Sequence, residues 1–344
     1  MGLIKSEDIS VRHQNCISLI KLLASLQVMF GHVRRHLGLS IPVQLELAIG
    51  YIRGVPIFFI LSGFLIWQSL GRTKNFTRYF QKRFLRVYPE LWVCVAIEIF
   101  SIVIFYSDWN VKDLSLFAMT QGTFLQFWTP NSLRGYGCGT PNGSLWTMCV
   151  TIQFYLISWV VYKFLHKRTL KAWFPCFVGS VVISIVGQVF VGQFNRELLL
   201  KLYNQTIIRY GWLFLAGCFL SEFNALFIPW LKKFWYVFLI IGVIPYLSNN
   251  DLNAGYGFIQ SILMVSGLIG FAYQFPILAL KKDISYPIFL YHMIVVNIFI
   301  SLGWTGNWFY GIVVIVLSCV VAYLSTATIG KWSVIMKMNA HNGI

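Results

Sequence analysis

Long apolar runs alternate with short polar connections from one end of the chain to the other. In 178–191 and 310–324 the apolar side chains run right around a helical circumference. Strands of a membrane barrel would instead alternate apolar and polar residues, so helices are predicted. A helix crosses the roughly 30 Å hydrocarbon core with about 20 apolar residues. On that measure the pattern predicts helices near 16–35, 51–70, 87–106, 146–163, 173–191, 208–223, 234–248, 256–273, 285–302 and 309–328. The expected fold is all-α: a polytopic membrane bundle of about ten transmembrane helices in one domain spanning 1–344.

Composition strengthens this. Of the 344 residues 58% are hydrophobic and 11% charged, against about 25% charged in soluble domains. The formal net charge of +16 would suggest a nucleic-acid partner in a soluble protein. Here it fits a cytoplasmic membrane surface, and no nucleic acid is expected. With the amino terminus inside, the inner segments hold 17 of the 27 Lys and Arg, and the outer ones only Lys112, Arg134, Arg196 and Lys201. That asymmetry predicts that both termini are cytoplasmic. Of seven cysteines only Cys138 falls in a long polar loop, so no disulfide framework is expected. Met1–Asn15 is polar and lacks a small-residue cleavage pattern, which argues against a removed signal peptide.

Against this apolar background a few polar groups stand out. Lys21 and His32 lie eleven positions apart on the first span, nearly on one face and about 16 Å apart along the axis. His32 is a candidate general base or acyl carrier, the alternative being a structural histidine bonded to a neighbouring helix. The segment 71–86 carries Arg72, Lys74, Arg78, Lys82, Arg83 and Arg86. Arg83 and Arg86 share a helical face and suit a phosphate or pyrophosphate, unless the segment is simply a positive-inside loop. Thr147, Thr151 and Tyr155 recur every four residues behind Trp146, as a substrate-facing stripe or as helix-packing glue. His292 is a second histidine within a span, open to both readings. The long segment 107–145, with Trp128, Tyr136 and Trp146 at its end, suits stacking on sugar rings.

In order along residues 15 to 300, these patches resemble the acyltransferase-3 family. The resemblance rests on Lys21 with His32, on Gly54-Val-Pro-Ile-Phe-Phe-Ile-Leu-Ser62-Gly63-Phe in the second span, on Arg83-Phe-Leu-Arg86, on Trp146-Thr147-Met148 with Tyr155, and on Tyr286 to His292. It implies an O-acyltransferase that moves an acyl group, usually acetyl from acetyl-CoA, to a carbohydrate hydroxyl. The donor is then expected on the cytoplasmic side at Arg83 and Arg86 with Lys21 assisting, His32 is catalytic, and Trp146, Thr147, Thr151, Tyr155 and His292 bind substrate. No metal is expected. The expected acceptor is a cell-envelope glycan or lipid-linked oligosaccharide, foremost lipopolysaccharide O-antigen, and the expected site is the bacterial inner membrane. One position departs from the family pattern, since Thr151 stands where a glutamate is usual and supplies no carboxylate. Glu98 or a water relay would have to substitute, or the glutamate is dispensable, or the protein is impaired. The remaining alternatives are a flippase or transporter for a lipid-linked sugar and an envelope glycan polymerase.

Overall fold

A computed structural model describes residues 15–342 apart from 74, 127, 195, 249–250 and 253–254, with 331 and 333–342 described in backbone only. Each of the ten expected spans is helical: α1 (Ile17–His36), α3 (Gly54–Gly71), α4 (Phe76–Phe105), α6 (Trp146–Leu165), α7 (Leu170–Gln193), α9 (Ile207–Glu222), α10 (Asn224–Ser248), α11 (Phe258–Gln274), α12 (Ser285–Ser301) and α13 (Trp308–Asn342). Three shorter helices, α2 (Val43–Tyr51), α5 (Val111–Gln121) and α8 (Glu197–Tyr203), lie in the connections. Among the described residues seven helical segments are long and apolar enough to cross a membrane, and α11 and α12 are shorter apolar helices. The protein is thus a helical, multi-pass membrane bundle.

The last helix runs on to Asn342, past the expected end at 328, and two helices start earlier than expected. Segment 71–86, expected as a loop, is already helix from Phe76, because the Asn75 side chain caps it by accepting from the Thr77 amide at 2.8 Å. Arg83 and Arg86 therefore stand on a rigid helix. α10 begins at Asn224 rather than 234 and bends at Phe234, where the backbone leaves helical geometry.

Packing sorts helices of similar hydrophobicity into two kinds. α7 and α10 are each about a tenth buried over their apolar windows and turn most side chains outward. α12 is buried at Pro287 through Asn297 without interruption and forms the centre of the bundle. α3 and α9 meet backbone to backbone: a Cβ on Gly63 would overlap the Phe214 carbonyl oxygen, and one on Gly217 the Ile60 carbonyl oxygen. Small residues permit this approach where lipid offers no hydrophobic drive between helices.

The end of segment 107–145 tucks into the bundle. Asn142 donates to the Leu290 carbonyl at 3.0 Å and Ser144 to that of Phe289 at 3.0 Å, while Asn297 accepts from the Cys138 amide at 2.9 Å. Gly137, at φ 55°, passes so close to Asn297 that a side chain would collide with it. Tyr136 is fully buried and donates to Ser101 at 3.0 Å, so the expected sugar-stacking role fails for it. Its hydroxyl finds a partner only inside the bundle.

Candidate active site

A cavity enclosing about 870 Å³ of non-atom space, including open solvent at its mouth, lies between α1, α3, α4, α6 and α12. Its polarity is graded. At the end where α1, α4 and α12 begin, its wall carries Lys21, Arg83, Arg86, Ser285 and Tyr286. Further in it is walled by Val55, Phe58, Phe59, Met148 and Phe289, with Thr147, Thr151 and Tyr155 along one side. The four-residue spacing of the last three on α6 is thus a cavity-lining stripe. Thr151 donates to the Thr147 carbonyl at 2.8 Å and Thr147 to that of Ser144 at 3.1 Å. Both hydroxyl protons are used within the chain, leaving oxygen lone pairs for a ligand's N–H or O–H.

The cations at the mouth differ in their partners. Lys21 pairs with Asp283, which also accepts from the Ser285 amide at 3.1 Å and from its hydroxyl at 2.5 Å. Burial pushes the Asp283 carboxyl up, but the adjacent Lys21 ammonium and the Ser285 hydrogen bonds outweigh it and hold the group below the usual carboxylate range. Arg83 is 9% exposed. It donates to the Ser69 hydroxyl at 2.5 Å and lies 5.5 and 5.8 Å from the ring centroids of Tyr79 and Tyr155. Its buried Nε has no acceptor among the described residues. The ion pairs there leave both Arg83 and Arg86 without a carboxylate.

His32 and His292 do not line the cavity, but they meet each other. Their rings stack with centroids 5.1 Å apart, and His32 Nδ1 is 2.8 Å from His292 Nε2. His292 Nδ1 is 2.9 Å from the Ile288 carbonyl. A carbonyl only accepts, so Nδ1 carries the proton of neutral His292 and its Nε2 holds a lone pair. His32 then donates from Nδ1, and its own lone pair is left on Nε2. His292 is fully buried, whereas His32 is half-buried. This arrangement does for His32 what a carboxylate does in other acid–base pairs: it fixes the tautomer and the ring's direction.

The structure brings Lys21, Arg83, Arg86, Thr147, Thr151 and Tyr155, each singled out in the sequence, to one cavity, and it pairs His32 with His292. Trp146 stands apart, half-buried with its ring centroid 5.5 Å from Tyr210 and 6.3 Å from Phe59. Glu98 is fully buried beside Asn142, Cys94 and Tyr136, while the titratable neighbours of His32 are His292, His36 and Arg35. Asp283 was missed, although an acid directly before a late apolar run in a chain with 11 acidic residues was a usable signal. Among the described residues no cluster of His, Cys, Asp and Glu is suited to a metal ion.

A bundle with a cation-mouthed cavity and an oriented histidine pair suits transfer of a group from an anionic carrier. Residues 14–327 match the acyltransferase domain of the acyltransferase-3 family, and the chain belongs to that family. It is an acyltransferase. It is 28% identical to Nodulation protein 10 of Rhizobium leguminosarum bv. viciae, the alignment covering 94% of each chain. It is 25% identical to the O-acetyl transferase of Shigella phage Sf6 over 55% of this chain and 56% of that one. With the Peptidoglycan O-acetyltransferase OatA of Listeria monocytogenes it shares 27% identity over 40% of this chain and 23% of the relative. No solved structure matches the chain.

Proposed function

We propose that the protein is an O-acetyltransferase of the bacterial inner membrane that moves acetyl from acetyl-CoA to a hydroxyl of a cell-envelope glycan, with lipopolysaccharide O-antigen as the leading acceptor. The observation that carries this reading is the alignment of parts: two arginines with no carboxylate partner among the described residues at one end of the cavity, and a histidine pair just beyond the other. From Lys21 to His32 is eleven residues of α1, about 16 Å, a distance that an extended pantetheine arm spans. In this reading Arg83 and Arg86 hold the donor's phosphates as forked donors from the cytoplasmic side, with Lys21 close by. The lone pairs of Thr147 and Thr151 accept from the arm's amide N–H groups.

His32 acts as the general base. Its Nε2 takes the proton of the acceptor hydroxyl while the oxygen bonds to the thioester carbonyl carbon. The carbon–sulfur bond then breaks, and the coenzyme thiolate takes the proton from the imidazolium, which regenerates neutral His32. His292 holds the ring throughout. The names of the phage and Listeria relatives support acetyl transfer and a glycan acceptor. The test is mass spectrometry of envelope polysaccharide from cells with and without the protein, paired with labelled acetyl-CoA supplied to isolated membranes. An acetyl mass step that depends on the protein and carries the label is expected. Unchanged acetylation with lost export would mean a transporter instead.

A further inference from the structure

We infer that Phe58 and Phe289 form the constriction that limits the length of the acyl group; this deepens, and rests on, the acyl-CoA reading above. Both rings line the cavity, and they meet edge to face with centroids 5.8 Å apart. Phe289 also meets the His292 ring edge to face at 6.2 Å. It lies three residues before His292 on α12, about 4.5 Å of rise. Phe289 therefore stands between the cavity and the histidine pair, neither of whose imidazoles lines it, and Phe58 packs against Phe289 from the cavity side.

Both rings sit on fixed backbone. Phe289 is 6% exposed, and its carbonyl accepts from Ser144. Phe58 lies on α3, which is locked to α9 by the glycine contacts. Neither ring can exchange a proton, so their effect on transfer is steric. A donor anchored by phosphates at the cationic mouth carries its thioester on an arm of fixed length. Every carbon beyond the carbonyl must then fit past or against these two rings. An acetyl group adds a single methyl there, whereas a longer chain meets the phenyl faces before its carbonyl reaches His32.

The experiment measures incorporation of label from acetyl-, butyryl- and hexanoyl-CoA into envelope polysaccharide in isolated membranes, for the wild-type protein and for Phe58→Ala, Phe289→Ala, Phe58→Leu and Phe289→Leu. The leucine variants keep an apolar side chain in the core. The wild type is expected to prefer acetyl. In the alanine variants the acetyl-to-butyryl ratio of kcat/KM should fall about tenfold or more, chiefly by a gain on butyryl, with the leucine variants in between. Acetyl transfer that persists in the variants with an unchanged donor ratio overturns the constriction alone. Failure of the wild type to transfer from any of the three thioesters overturns the acyl-CoA reading and the constriction together.

Discussion

The two ends of the site handle buried polar groups in opposite ways. At the cavity mouth Lys21 has Asp283, whereas Arg83, among the described residues, meets the Ser69 hydroxyl and the Tyr79 and Tyr155 side chains but no carboxylate. At the histidine end every polar atom of the pair has a partner among the described residues except Nε2 of His32. A cation out of water without a carboxylate is costly unless an anion arrives, so the mouth is built for a ligand's charge. The histidine end is built for a single proton, because hydrogen bonds leave one nitrogen lone pair free. In the proposed function binding and chemistry occupy separate ends, and substitutions should separate them kinetically.

The largest expected effect is at the proton end. His32→Gln keeps hydrogen bonding but has no basic nitrogen, and transfer should fall by about 10²–10⁴-fold with donor KM unchanged. His292→Ala removes the group that orients His32, and a loss in kcat of about 10²-fold is expected, again without a change in KM. Retained turnover in His32→Gln, with the protein inserted, would end the case for His32 as the base.

Next come the arginines. Arg83→Lys or Arg86→Lys keeps the charge and loses the fork. Each should raise the apparent KM for acetyl-CoA by about tenfold at similar kcat, measured in membranes over a donor series. A change in kcat alone would show that the two ends are not separable. Thr151→Glu sharpens the same comparison. A carboxylate in the wall that Arg83 shares would satisfy the waiting cation and repel phosphate. Donor affinity should fall by a similar factor, and a rise in rate would instead show that the usual glutamate is useful here.

The smallest effect is expected for Asp283→Asn. It leaves Lys21 without its counter-charge and should destabilise the protein by about 1–2 kcal/mol, read from thermal unfolding in detergent. The effect stays small because the Asp283 side chain is 34% exposed and solvent screens the pair. The Asp283 carboxyl is held below its ordinary range in the folded protein. Its contribution is therefore present above the unfolded carboxylate pKa and lost as pH falls through the depressed folded value. The wild type should lose stability on acidification over that window, and Asp283→Asn should not lose that share.

Much of this site was legible in the sequence, for reasons that differ between residues. Lys21 stands out because a cation is rare in an apolar span, and Arg83 and Arg86 because a spacing of three puts two forked guanidinium groups on one helical face. Thr147, Thr151 and Tyr155 stand out because a period of four puts them on one helical face. Tyr136 was misread because aromaticity and loop position do not reveal burial. Its fate depended on whether Asn142, Ser144 and Asn297 would draw the loop into the bundle. Asn75 showed as a cap only once Thr77 was seen to donate to it.

The sequence by itself determined the helical class, the approximate positions of the long apolar helices and the presence of the charged and imidazole groups. These depend on local quantities: the length and hydropathy of each run and the spacing along one helix. Tertiary structure alone decided that α12 is central while the equally apolar α7 faces outward, since lipid and protein interior select the same side chains. It decided as well that His32 meets His292 across 260 positions and that Lys21 meets Asp283 across 262. Such pairings follow from how helices dock, as where Gly63 and Gly217 let α3 and α9 touch, and no local pattern in the chain encodes them.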